Sequence, residues 1–135
     1  MFALESPMIA RLQALPALSG WQVRSSESEV SRRSLPAVEV QCDGVDVAES
    51  RNTAALVGVA WGVHLVAQYS PAAMAALDDA FAAIVASLHN WTPGTEGGRA
   101  WHRLQLQQVR RETTEQGLVA YTMTFKTAAR YDGQC

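Results

Sequence analysis

Residues 70–131 read SPAAMAALDDAFAAIVASLHN, then WTPGTEGG, then RAWHRLQLQQVRRETTEQGLVAYTMTFKTAARY: one amphipathic helix, a glycine-rich corner and two long strands. Ser70 offers a side-chain oxygen to the free amides of a helix start, and Pro71 suits the first helical position. Met74, Leu77, Phe81, Ile84, Val85 and Leu88 fall on one stripe. Asp78 and Asp79 point away from it, in the half of the helix where the dipole favours them. His89-Asn90 closes the helix, and Pro93-Gly94 with Gly97-Gly98 turns the chain. Strands are expected over Trp101 to Glu112 and Leu118 to Arg130, joined by the polar turn Thr113 to Gly117. In the second strand Val119, Tyr121, Met123 and Phe125 form the inward face, opposite Thr122, Thr124 and Lys126.

Upstream, Ala55 to Tyr69 reads as the central strand. Val57, Val59, Trp61, Val63, Leu65 and Tyr69 share one face; Leu56, Gly58, Ala60, Gly62, His64 and Val66 share the other. Apolar residues on both faces predict burial on both. Gly58 and Gly62 weaken a strand unless something approaches closely, so they mark tight helix packing or a subunit contact. Leu35 to Cys42 alternates with period two and places Val38, Val40 and Cys42 together. Asp43-Gly44 is a turn signal: either Val45 and Val47 fold back as a small hairpin, or 43–54 is one long loop. Residues 24–34 are Ser, Glu and Arg with one Val, too polar to order themselves, so a mobile loop is expected there. Trp21 to Val23 suit a short strand. Ser6-Pro7 opens a first helix with Met8, Ile9, Leu12 and Leu15 at helical spacing, ended by Pro16. The expected architecture is a single α+β domain over residues 1–135. Its mostly antiparallel sheet has four to five strands, with two helices packed on one face.

With 135 residues the chain can bury about two-thirds of its unfolded surface. Only 18% of residues are charged, which suggests that a partner covers some apolar area. A net charge of -2 argues against nucleic-acid binding, which needs clustered Lys and Arg. No uninterrupted apolar run of about 18 residues occurs, so no membrane span is expected. The start, Met-Phe-Ala-Leu-Glu, lacks the basic flank and apolar run of a secretion signal. Cys42 and Cys135 are the only cysteines and the second is terminal, which fits a reducing compartment rather than a structural disulfide.

The charges are not evenly spread. Residues 1–98 hold 5 basic and 10 acidic side chains, whereas residues 99–135 hold 6 basic and 3 acidic ones. The bland reading is a solvated sheet face. The sharper one is a basic surface that meets the acidic surface of a neighbouring copy. The residues that would form such a subunit or partner interface are Arg32, Arg33, Asp43, Asp46, Arg51, Arg103, Arg110 and Arg111.

Residue chemistry points away from catalysis. His64, His89 and His102 sit on three different elements, without the ligand spacing of a metal site. No Gly-x-Ser-x-Gly elbow occurs, and Cys42 reads as inert core rather than nucleophile. Gly94, Gly97 and Gly98 precede a strand, not the helix start that cradles phosphate. Asp78 and Asp79 diverge by about 100° on a helix and cannot share a substrate. Trp61 belongs to the core, Trp21 packs behind the first helix, and Trp91 and Trp101 clasp the corner. No catalytic residue, metal or cofactor is assigned.

Several features together resemble the tail terminator (tail completion) proteins of tailed bacteriophages and prophages, particularly the Mu-like group. They are the N-terminal helix ending near Pro16, the Pro-opened strand Leu35-Pro36-Ala37-Val38, and the long apolar strand before a Ser-Pro helix. To these are added Ala86-Ser87-Leu88-His89-Asn90-Trp91-Thr92-Pro93-Gly94 and the closing Thr127-Ala128-Ala129-Arg130-Tyr131. The resemblance implies a non-enzymatic structural protein of the virion. It would form a hexameric homo-oligomeric ring that caps the tail tube, ends tail polymerisation and prepares head–tail joining. The implied partners are further copies of the chain, the tail tube protein and a head-completion protein, with DNA passing through the ring without sequence-specific contact and no membrane involved. The implied location is the bacterial host cytoplasm during assembly and then the virion tail. The alternatives are a small-molecule-binding or enzymatic α+β domain, with a pocket between the Ser70 helix and the sheet, and a head–tail connector (neck) subunit.

Overall fold

The computed structural model describes residues 2–25, 36–51, 53–113 and 117–132. Two helices, α1 (Glu5–Gln13) and α2 (Pro71–Leu88), accompany seven strands: β1 (Gln22–Ser25), β2 (Ala37–Ser50), β3 (Ala54–Gln68), β4 (Gly94–Glu96), β5 (Arg99–Trp101), β6 (Gln105–Thr113) and β7 (Leu118–Asp132). All seven form one sheet in the order β1-β2-β3-β7-β5-β4, and β6 lies beside β7. β1 runs parallel to β2, and every other pairing is antiparallel. The fold is therefore α+β with a mixed sheet, richer in strands than the four to five expected. The additional short strands β4 and β5 lie in the Gly94–Trp101 corner, where Gly97 and Gly98 hold the positive φ angles of a tight turn.

The Ser70 cap forms as expected: its Oγ accepts from the Ala73 amide at 3.0 Å, and Pro71 occupies the first turn. At the first helix the same dipeptide does something else. A 3₁₀ turn over Phe2–Leu4 already leads into α1, so Leu4 is the cap residue and Ser6 makes no capping bond. The helix ends at Gln13, and Pro16 opens a short 3₁₀ turn, Pro16–Leu18.

Both helices lie on one face of the sheet. Leu77, Ala80, Ile84 and Leu88 of α2 and Met8 and Leu12 of α1 join a single core with Val38, Val40, Trp61, Val63, Leu65, Val119, Met123 and Phe125. Direct cross-strand pairs stack within it: Trp61 opposite Phe125, Val63 opposite Met123 and Val40 opposite Val63. α2 is also long and apolar enough, by length and composition, to cross a membrane, although Asp78 and Asp79 interrupt its apolar run. Its hydropathy comes largely from alanine, and its large side chains are spent on the sheet.

The other face of β3 is not buried as expected. Leu56, Gly58, Ala60, His64 and Val66 are only half-buried and neither helix covers them; Gly62 alone of this set is buried, under Asp43. Asp43-Gly44 forms neither a turn nor a loop. β2 runs straight through it to Ser50, absorbing the extra residue as a bulge between Cys42 and Gly44 and a second between Val47 and Glu49. The chain reverses instead between Ser50 and Ala54, where the Arg51 amide donates to the Ala54 carbonyl at 2.8 Å. Arg24 and Ser25, assigned to a mobile loop by composition, belong to β1; Arg24 is buried and bonds Glu39 at 3.3 Å. The rest of that segment, 26–34, lies outside the described residues.

Candidate functional site

Among the described residues no catalytic constellation assembles. Among the described residues no group of three or more His, Cys, Asp and Glu side chains could hold a metal ion. His64 sits on the uncovered sheet face with Nδ1 3.0 Å from Thr122 Oγ1. His89 ends α2, where its Nδ1 accepts from the Leu106 amide at 3.1 Å. His102 follows β5 and is exposed. The space between α2 and the sheet, where a ligand pocket would lie, is filled by fully buried Leu77, Ile84 and Leu88. Cys42 is a free, half-buried thiol, and burial pushes its pKa up, opposite to what a nucleophile requires.

What the fold does present is an exposed arm and two open strand edges. Beyond Cys42, β2 and its partner β3 leave the helix-covered body as a hairpin, with residues 43–50 exposed throughout. β1 covers β2 only over Ala37–Val40. Past that point the outer edge of β2 has no strand beside it among the described residues. On the opposite margin, β6 pairs only with β7. The beginning of the β6 edge is closed by α2's end, where Leu104 and Leu106 donate to Trp91 O and His89 Nδ1. From Gln107 onward no strand lies beside this edge among the described residues.

The two margins differ in charge. Residues 41–50 contain Asp43, Asp46 and Glu49 and no basic side chain. β6 carries Arg110, Arg111 and Glu112, with Arg103 just before it and Lys126 opposite Gln105 on β7. Asp43 and Asp46 lie over Gly62 and Gly58: a Cβ added at either glycine would meet the corresponding carboxylate. This explains the two glycines. They face away from the helices and make room for acidic side chains folded onto the sheet, so tight helix packing is not their role. Gln41 Nε2 donates to Asp43 Oδ1 at 2.5 Å and steadies the first carboxylate.

The expected interface residues are thus distributed, not gathered. Asp43 and Asp46 are on the arm, and Arg51 is at its tip, paired with Glu49 at 2.9 Å. Arg103, Arg110 and Arg111 are at the far margin, with β3 and β7 in between, exposed and without an ion-pair partner among the described residues. Arg32 and Arg33 lie outside the described residues. Charge reading missed the apolar part of these margins: Val45, Val47 and Val109 are 46%, 63% and 42% exposed. The period-two spacing of Val45 and Val47 was a strand signal, but it is out of phase with Val38, Val40 and Cys42, and only the bulge at Cys42–Gly44 sets them on the same face.

No protein-family model matches this chain, and no curated protein matches its sequence. Among solved structures, it is similar to a chain from the virion of a native gene transfer agent (GTA) particle. The two share 19% identity with a TM-score of 0.73, and the alignment covers 96% of each chain. At that identity the similarity establishes a shared fold.

Proposed function

We propose that the protein is a structural subunit of a phage-like virion and, more specifically, a tail terminator. Copies of it would form a ring, a hexamer by the family resemblance, that caps the tail tube, stops its growth and prepares it for the head. The observation that carries this reading is the end-to-end fold similarity to a virion chain. An ordinary domain insertion or a shared motif would not give coverage of 96% on both sides. Two features of the molecule support it. The large side chains of α2 fill the place where a ligand would bind, and the exposed charges of opposite sign stand on opposite margins of one sheet. A subunit with different complementary patches on its two sides can assemble head to tail, and a rotation that closes makes a ring. Its partners would be further copies, the tail tube protein and a head-completion protein, first in the host cytoplasm and then in the virion tail.

The test is deletion of the gene from the element that encodes the protein, followed by electron microscopy of the particles. A terminator's loss yields tails of uncontrolled length without heads. Tails of normal length joined to heads would overturn the reading.

A further inference from the structure

We infer that neighbouring copies of this chain join by edge-strand pairing, the acidic outer edge of β2 (residues 43–50) in one copy against the basic outer edge of β6 (residues 107–112) in the next. The inference rests on the ring reading above and supplies its contact.

Four independent features of the two margins agree. Both edges expose backbone amides and carbonyls with no strand beside them among the described residues, and an open edge is a template for another strand. The charges are complementary: Asp43, Asp46 and Glu49 stand on one edge without a basic residue, while Arg110 and Arg111 outweigh Glu112 on the other, with Arg103 before it and Lys126 on the adjoining β7. The strand directions match. Three antiparallel steps separate β2 from β6, so the two run in opposite senses. Rotation about an axis along the strands preserves each sense, and β6 therefore meets the neighbour's β2 antiparallel.

The faces match as well, and this is the most demanding condition, because a shift of one residue would put every side chain on the wrong side. Val45 and Val47 lie opposite Val59 and Val57, on the helix side of the sheet; Val109 lies opposite Met123, on the same side. Asp46 lies opposite Gly58, and Arg110 opposite Thr122, both on the uncovered side. A sheet continued from one copy to the next with Val47 beside Val109 therefore sets Asp46 beside Arg110 on the uncovered face, while Arg111, opposite Tyr121, lies on the helix side with the valines.

The same charges exclude the wrong contacts. Two β2 edges would oppose acid to acid, and two β6 edges would oppose arginine to arginine, so symmetric dimers are disfavoured and only the head-to-tail contact remains. An edge that is charged and bulged resists promiscuous pairing while accepting the one complementary partner.

The test uses the full-length chain and measures its mass by light scattering over a concentration series, with circular dichroism as the folding control. Arg110→Glu with Arg111→Glu makes both edges acidic, and Asp43→Lys with Asp46→Lys makes both basic. Each pair alone should weaken assembly at least about tenfold, as like charges now face each other. Mixed in equal amounts, the two variants should assemble again, alternating around a ring of even number. A wild-type ring with undiminished assembly of both variants would overturn edge pairing and leave the ring standing. A wild type that stays monomeric at every concentration, including in the presence of tail tubes, would overturn the ring itself. Hydrogen exchange on the wild type gives a readout free of substitutions. Amides of 43–50 and 107–112 should gain protection on assembly, and unchanged exchange there in an assembled ring would also overturn the inference.

Discussion

β2 and β3 each live in two environments. Over Ala37–Val40 and Val59–Ala67 they form the floor of the body: Val38, Val40, Trp61, Val63 and Leu65 are fully buried beneath the helices. A few residues further on, the same two strands form the arm, where the bulge at Cys42–Gly44 brings Val45 and Val47 onto the helix side, yet they stand in solvent. The difference lies in what covers the strand, not in the strand. Hydrophobic periodicity reports which side chains share a face; only the tertiary fold determines whether a helix lies over that face. The body therefore holds the free energy of folding, and the arm leaves apolar side chains in solvent.

Substitutions that remove packing should separate the two regions most sharply. Ile84→Ala leaves a cavity under α2 and should destabilise the monomer by about 2–5 kcal/mol, read from urea unfolding. Val47→Ala on the arm removes a side chain that touches solvent and should stay within about 0.5 kcal/mol. Comparable losses at the two positions would mean that the arm is part of the folded core.

The next effect belongs to the body alone. Ser70→Ala removes the side-chain bond that caps α2 and should cost about 1 kcal/mol by the same measurement. Ser6→Ala, the same dipeptide without a capping bond, should cost far less. Equal costs would refute the assignment of a cap to one and not the other.

This pair also shows how much the sequence made legible. Ser70-Pro71, the stripe from Met74 to Leu88 and the inward face of β7 were readable because local capping and period agree with the tertiary packing. Ser6-Pro7 carries the same local signal, but Leu4 must reach the core, and the turn that delivers it takes over the cap position. Asp43-Gly44 misled for a related reason. A dipeptide that favours a turn can also sit in a bulge, and pairing with a fifteen-residue β3 favours continuation of the strand. Arg24 looked like a loop residue until Glu39 supplied its counter-charge across the β1–β2 ladder. At the candidate surface, the sign of each charge was legible and its placement on opposite margins was not, since strand order in a sheet leaves no mark on composition.

A smaller effect tests the glycines of the uncovered face. Gly58→Ala places a methyl group against the Asp46 carboxylate, the far end of an exposed, movable side chain. The side chain can swing away, and alanine in a strand recovers about 0.5–1 kcal/mol of backbone entropy relative to glycine. The net change in monomer stability should therefore lie below about 1 kcal/mol. Combining it with Asp46→Ala should remove the remaining penalty, so that the two substitutions are not additive. Strict additivity in the double-mutant cycle would show that carboxylate and glycine do not meet.

The smallest effect is expected where body and arm join, and it is one of reactivity rather than stability. Cys42 lies opposite Trp61, at the last regular pairing before the first bulge. Burial raises its thiol pKa; a backbone hydrogen bond at Gly44 opposes that shift, and the negative Asp43 adds to it. The attacking species is the thiolate, and a raised pKa lowers its fraction at neutral pH. In a Cys135→Ser chain, alkylation of Cys42 by iodoacetamide at pH 7.5 should therefore run more slowly than that of a free cysteine peptide. The rate should climb as the pH rises past the ordinary thiol range, with circular dichroism unchanged. Because the thiol sits at the boundary, its rate also reports how firmly the arm is anchored. If the arm opened independently of the body, low urea would accelerate alkylation well before the unfolding transition. A single joint transition would place the anchor of the arm inside the cooperative core.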